Sequence, residues 1–485
     1  MQGKQPRNIL CKGSLDYQNQ DSSKSLLAQR PFGISYNRYI SGLKIGRTMR
    51  AFLIVSLALL CAGVLADHDG QTKHGKDHDH NGHDHGDHDH DHHHHGKGKH
   101  HDHKHHHHAG EDMACHKIAP SNSQFAFKLF RQVVADHPSE NIFFSPVSIS
   151  TALAMLSLGA RADTLNQIIE GLNFNNTKIT EEEIHNGFQH LLHMLNDPDR
   201  ELQLNSGNAL FIDNNVKLIQ QFIDDVKKYY ESEAFSTDFN NAEEAKKQIN
   251  SYVEKQTHGK IVDLLSSVDK NAVLYLINYI FFRGKWEKPF EEKFTQDGIF
   301  HVDENTNVTV PMMRRNGMYN VAFDEKLGCT VVQIPYKGNA TALFILPDEG
   351  KLRQVEEALE KSTIMSWKKQ FRYQSIELTI PKFSIMATLD LIEELKKFGV
   401  TDVFSQNADL SGIVEGTPLK VSKAVHKAGL SVDETGTEAA AATAFEIMPM
   451  MIPPHILFNR AFVVIIYDPI PKSILFVAKV VNPKN

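Results

Sequence analysis

An α+β fold built as one large domain follows from three features of the sequence. Helical spacing of apolar residues is concentrated early, β-branched apolar runs are concentrated late, and no repeat period or Pro/Gly-rich linker separates them. The early helices are "SNSQFAFKLFRQVVAD" and "SISTALAMLSLGA", with Ser121 and Ser148 expected as caps, and "AEEAKKQINSYVEKQTHGKI", expected to end near Gly259. The late strands are "CTVVQIPY", "TALFILP", "SIELTIPKFSI", "AFVVIIYD" and "SILFVAKVV". Together they make residues 116–485 a single domain.

The N-terminal quarter has a different texture. Met49 to Ala66, "MRAFLIVSLALLCAGVLA", has the basic start, short apolar run and small-residue end of a secretory signal peptide. The apolar run is too short to span a bilayer comfortably, so no membrane anchor is expected. Residues 1–48 precede it and carry eight Lys/Arg against two Asp. They read as an upstream extension of the gene model with Met49 as the working start, the alternative being a genuine long leader. The protein is expected to be secreted into the extracellular space.

Residues 67–115 form a His/Asp-rich segment. Between Asp67 and His108 there are 19 His, 9 Asp and 5 Lys and no apolar side chain, so this stretch has nothing to bury and is expected to be disordered. Its imidazoles, densest at His92, His93, His94, His95 and at His105, His106, His107, His108, are candidate ligands for Zn or Cu. No cofactor is required by anything in the sequence. With His neutral the fixed charge is −4, and full protonation would carry it to +15, which makes polyanions candidate partners at acidic pH. The plainer reading is a solvated spacer with incidental metal affinity.

Composition excludes some classes. The whole chain is 41% hydrophobic and 23% charged, with a net charge of −7, which fits a globular protein and argues against nucleic-acid binding. After signal removal two cysteines remain, Cys115 in the junction and Cys329 in a strand-like run. No structural disulfide is expected, with Cys329 a small buried hydrophobe and Cys115 free or paired between molecules. Sequons at Asn175, Asn307 and Asn339 are expected in exposed, glycosylated loops. There is no G-x-S-x-G elbow, H-E-x-x-H, Walker loop or G-x-G-x-x-G, and the chain is not expected to be an enzyme. His190 and His193, three apart on a helix, read as helical surface rather than a metal site.

The segment from Gly436 to Pro454, "GTEAAAATAFEIMPMMIPP", has no firm local preference. As a strand it would place Thr437, Ala439, Ala441, Thr443, Phe445 and Ile447 on one face and both Glu438 and Glu446 on the other, a half-buried pattern. Its prolines instead suit an exposed extended loop. The sequence supports two states of one segment, against the plainer reading of a surface loop with an alanine run.

Several long motifs now carry a resemblance: "NIFFSPVSISTALAMLSLGA", "NYIFFRGKWEKPF", "GNATALFILPDEGKL", "DLSGIVEGTPLKVSKAVHKA", "GTEAAAATA" and "FNRAFVVII". In this order over residues 117–485 they resemble the serpin family, in particular its secreted alpha-1-antitrypsin-like plasma branch. One departure is Ala461, where the family usually has Pro. The resemblance implies a large central β-sheet, two further sheets, about nine helices and an exposed reactive-centre loop. It implies suicide-substrate inhibition, in which a serine protease cuts the loop and the loop inserts into the large sheet. The hinge would comprise Glu434, Gly436, Thr437, Glu438, Ala439, Ala440, Ala441 and Ala442. The reactive bond would lie between Met450 and Met451, cleavage after Met448 or Met451 being the alternative, and Met450 points to elastase- or chymotrypsin-like proteases.

By the same resemblance, conformational control falls to Ser145, Ser148, Asn278, Trp286, Lys382 and His426, with His426 expected to titrate near neutrality and Lys382 to pair with Glu434. A monomer is expected. Activation by heparin is not, because "ADTLNQIIEGLNFNNTKITEEEIHNGF" is acidic. The rival reading is a non-inhibitory serpin acting as a hydrophobic-hormone carrier or a metal-binding plasma protein.

Overall fold

The structure, a computed structural model, describes residues 113–175, 177–197, 202–434 and 453–484. Among them nine α-helices and fourteen strands alternate with two short 3-10 turns. The helices are α1 (Ala114–Asp136), α2 (Pro146–Ser157), α3 (Ala162–Gly171), α4 (Glu181–Leu195), α5 (Gln220–Tyr230), α6 (Ala242–Gln256), α7 (Leu352–Ala358), α8 (Lys361–Gln370) and α9 (Leu391–Lys396). The first strands are β1 (Ile142–Phe144), β2 (Leu202–Asp213), β3 (Glu233–Thr237), β4 (Leu274–Gly284), β5 (Gln296–His301), β6 (Asn307–Asp324) and β7 (Cys329–Pro335). The later ones are β8 (Thr341–Pro347), β9 (Arg372–Pro381), β10 (Phe383–Asp390), β11 (Lys423–Val432), β12 (His455–Leu457), β13 (Phe462–Asp468) and β14 (Ser473–Val480). The α+β class is as the sequence predicts, and the five late apolar runs are all strands.

Two sheets result. The five-stranded one has the order β10-β11-β4-β2-β3, and the other runs β1-β14-β13-β8-β7-β6-β9-β12 with β5 added on β6. The two further sheets expected from the resemblance are joined here through β6, whose 18 residues pair with β5, then β9, then β7. "SIELTIPKFSI" divides between them: Lys382 separates β9 of one sheet from β10 of the other.

Three helix starts show why these segments fold locally. Ser145 caps α2 by accepting from the Ser148 amide, with Pro146 in the first turn where a missing N–H costs nothing. Thr180 and Glu183 close a capping box on α4, and Asn241 caps α6. The expected caps differ on two counts. Ser148 lies inside α2, one turn past the true cap. Ser121 lies inside α1, which runs on through Pro120 back to Ala114, because Cys115 and Ile118 are fully buried and that burial offsets the hydrogen bond Pro120 cannot make. Ser121 instead donates to the Asn173 carbonyl at 2.9 Å.

The core explains the layering. α2 is buried along its whole length behind the five-stranded sheet. On the opposite face α6 presents Ala245, Ile249 and Val253 to Tyr275, Ile277 and Tyr279 of β4. Cys329 is buried in β7 as expected. Cys115 is also fully buried, its sulfur 3.8 Å from that of Met194, so the exposure that pairing between molecules requires is lacking. Burial pushes the Cys115 thiol up to about 11 and that of Cys329 up to about 12.

Candidate functional site: a closed slot in the five-stranded sheet

The site is defined by one strand pairing. β4 and β11 lie side by side and parallel, in register from Lys423 opposite Tyr275 to Leu430 opposite Phe282. Each has an antiparallel neighbour on its other side, β2 for β4 and β10 for β11. The chain leaves β11 through Asp433 and Glu434 and is described again from Pro453. A segment turning back from Glu434 would run antiparallel to both β4 and β11, so this parallel pair, the one beside the chain's exit from β11, could take a strand between two partners.

On the inner face, four residues singled out from the sequence meet. His426 and Asn278 are cross-strand partners spanning the slot. The Ser145 backbone N–H donates to His426 Nε2 at 3.1 Å, so the proton sits on Nδ1, which donates to Asn278 Oδ1. Asn278 Nδ2 donates to Ser148 Oγ and to Asn208 Oδ1, each at 2.6 Å. Asn208, on β2, was not legible as a partner, since cross-strand register leaves no mark in one sequence. The network thus ties β11, β4, β2 and the start of α2 together, and His426 and Asn278 have no exposure.

The expectation that His426 titrates near neutrality is corrected. Full burial lowers it to about 3, and its one free ring nitrogen already accepts a hydrogen bond that protonation would break. It is a neutral structural bridge through the physiological range.

A second group pins the chain where β11 ends. Lys382 Nζ lies 2.7 Å from Glu434 Oε2, and Thr295 donates to Oε1 at 2.9 Å. The Phe290 amide donates to the Glu434 carbonyl. Glu434 is buried, which by itself would raise its carboxyl, yet hydrogen bonds from Lys382, its own backbone N–H and Thr295 hold it below the usual range. Beside it, Trp286 Nε1 donates to the Asp433 carbonyl at 2.8 Å, and the Arg283 guanidinium lies 2.8 Å from the Asp433 carboxylate. The indole stacks on Tyr336 with centroids 4.2 Å apart. Trp286, Lys382 and Glu434 are therefore together, at the open end of the slot.

The other root is lighter. β12 is three residues long and pairs in parallel with β9 at the end of its sheet. The Glu377 amide donates to the Pro454 carbonyl, and His455 Nε2 sits 3.0 Å from Thr379 Oγ1 and 3.7 Å from Glu377.

The remaining residues fall elsewhere. Asn175 and Asn339 lie in exposed turns. Asn307 is exposed but is the first residue of β6 rather than part of a loop, because β5 pairs back to it through His301. Gly436, Thr437, Glu438, Ala439, Ala440, Ala441, Ala442, Met450 and Met451 lie outside the described residues, as do His92 to His95 and His105 to His108. His190 and His193 are on α4, and among the described residues no group of three or more His, Cys, Asp or Glu is placed to hold a metal. Among these residues no helix is long and apolar enough to cross a membrane.

The parallel pair of β4 and β11, the buried network beneath it and the anchored strand exit beside it are set in a domain of the α+β class. The chain belongs to the serpin family: the family model "Serpin (serine protease inhibitor)" matches residues 120–483. It is 54% identical to alpha-1-antiproteinase of Callosciurus caniceps over 77% of this chain and 90% of that protein. It is 53% identical to alpha-1-antiproteinase of Bos taurus with the same coverage. Among solved structures it resembles human thyroxine-binding globulin complexed with thyroxine, at 45% identity and a TM-score of 0.73 over 77% of this chain and all of that one. It also resembles human glycosylated kallistatin, at 44% identity and 0.73 over 77% of this chain and 99% of that one.

Proposed function

We propose that this protein is a secreted inhibitor of elastase- or chymotrypsin-like serine proteases, acting by cleavage and insertion of the segment after Glu434 between β4 and β11. The observation that carries the reading is the fully registered parallel pair of β4 and β11, followed in the chain by a segment of mostly small residues whose two charges, Glu438 and Glu446, would share one face of a strand. The antiproteinase names of the relatives support it. The protease would attack at Met450–Met451, whose unbranched apolar side chain suits an apolar primary pocket. The 14 residues from Thr437 to Met450 span roughly 46 Å when extended, enough to carry a tethered protease the length of a domain. Removal of the acyl-enzyme from its ordered catalytic geometry then stops hydrolysis.

The same reading makes the protein a monomer glycosylated at Asn175, Asn307 and Asn339, with a His-rich segment that takes up Zn or Cu and, once protonated, polyanions. Mixing the protein with neutrophil elastase and running a denaturing gel tests the inhibitory reading. A covalent band is expected, and clean cleavage with full residual protease activity would refute it. A second reading, carriage of a small hydrophobic hormone, is favoured by the likeness to thyroxine-binding globulin. Thyroxine binding at micromolar concentration without a covalent elastase complex would select it.

A further inference from the structure

On the face of the five-stranded sheet opposite the His426 network, a second row crosses the same slot. Met386 of β10 is the cross-strand partner of Gly429 of β11, and Gly429 is that of Phe281 of β4. Direct partners share a face, and Phe281 lies three positions along β4 from Asn278, an odd offset that sets the two rows on opposite faces. A Cβ on Gly429 would lie 2.5 Å from the Met386 sulfur and 2.6 Å from Cδ2 of Phe281. The thioether and the ring therefore lean over the glycine from both sides and fill the space a side chain would need. A glycine inside a strand weakens it unless neighbours cover the gap, and here the cover comes from both flanking strands. Phe281 is half-buried and packs against the apolar cluster beneath α6, whereas Met386 is 46% exposed.

Entry of a strand between β4 and β11 has to part Phe281 from Gly429 and from the sulfur reaching across it. We propose that Met386 is an oxidation-sensitive clasp on this slot. A peroxide transfers one oxygen atom to the thioether: the sulfur loses two electrons and becomes the sulfoxide, and the peroxide is reduced to water. The sulfoxide is polar and draws water to a tip that lay on an aromatic edge, so the cover over Gly429 opens. The hydrogen-bonded bridge on the inner face is unaffected, and the slot is loosened from one side only. The consequence for strand entry rests on the inhibitory reading above, whereas the clasp itself does not.

Amide hydrogen exchange on the full chain, read by mass spectrometry over the peptides containing Phe281 and Gly429, tests it without a protease. Treatment with hydrogen peroxide is expected to raise exchange there about fivefold in the wild type. Met386→Leu, which keeps the apolar contact and cannot be oxidised, is expected not to respond. Met386→Gln is expected to show the raised rate before any treatment. Equal responses of wild type and Met386→Leu to peroxide, or wild-type exchange in Met386→Gln, would overturn the proposal. A synthetic peptide copying residues 437–449 is expected to anneal about fivefold faster to Met386→Gln than to Met386→Leu. Equal rates would overturn the clasp's part in opening the slot, while failure to form an elastase complex bears only on the inhibitory reading.

Discussion

His426 and Glu434 illustrate two opposite ways of burying a titratable group. His426 is held neutral at about 3, below its unfolded value of roughly 6.5. Between those values the unfolded chain binds a proton that the folded chain refuses, so stability is complete above about pH 6.5 and falls as pH drops toward 3. The expected contribution is up to about 1.4 kcal/mol per pH unit, and denaturant titrations of the wild type should show a steeper acid loss than those of His426→Asn. Equal slopes would mean that the imidazole is already charged in the fold. Glu434 instead keeps its charge by contact with Lys382 and Thr295. Lys382→Met is expected to cost about 1–2 kcal/mol, because it leaves a buried carboxylate oxygen without its cation. An unchanged urea midpoint would show that Thr295 alone suffices. In the connecting segment, Met450→Arg should shift covalent complex formation from elastase to trypsin, whose pocket offers an acidic partner. An unaltered protease profile would place the scissile bond at another residue.

At the scale of elements, the legible parts are those set by local pattern. The strand runs ending in "FVAKVV" and the helix "AEEAKKQINSYVEKQ" are where apolar spacing puts them. What stayed hidden depends on contacts between distant residues. α1 begins seven residues before Ser121 because its first turn is buried against other elements, which no window around Pro120 reveals. The four-strand row from Leu389 through His426 and Asn278 to Asn208 exists only once register is fixed. Gly429 carries no role visible in the sequence and becomes meaningful only with Met386 and Phe281 beside it. The segment from Gly436 carried the clearest two-state signal, in the parity of its charges. That parity makes a prediction for the element. Thr437→Arg would have to carry an unpaired charge into the sheet at the first inserting position, so the variant should be cut by elastase without trapping it. A denaturing gel showing a covalent band of wild-type intensity would contradict insertion from that end.

At the scale of the whole molecule, the five-stranded sheet is unevenly paired. β10 with β11 and β2 with β4 are antiparallel, while β4 with β11 and β2 with β3 are parallel. Separating β4 from β11 would break one slanted parallel ladder, and a strand entering antiparallel between them would build two perpendicular ones, which are the more stable kind per residue. On the inhibitory reading proposed above, the intact fold then holds unused pairing capacity, with the chain on either side of residues 435–452 anchored at Glu434 and at β12. A cut within those residues removes one anchor. Even six net ladder bonds at about 1 kcal/mol each would exceed the usual effect of any single substitution. At roughly 2 °C per kcal/mol for a large domain, the cleaved protein is expected to unfold at least ~10 °C above the intact one in calorimetry. The cut should be made with a protease outside the target class, so that no complex forms. The Thr437→Arg variant, cut at the same bond, should lack the increase. If wild type and variant gain equally, the extra stability comes from relief of strain in the connection rather than from a new strand, and if neither gains, the cut segment does not enter between β4 and β11.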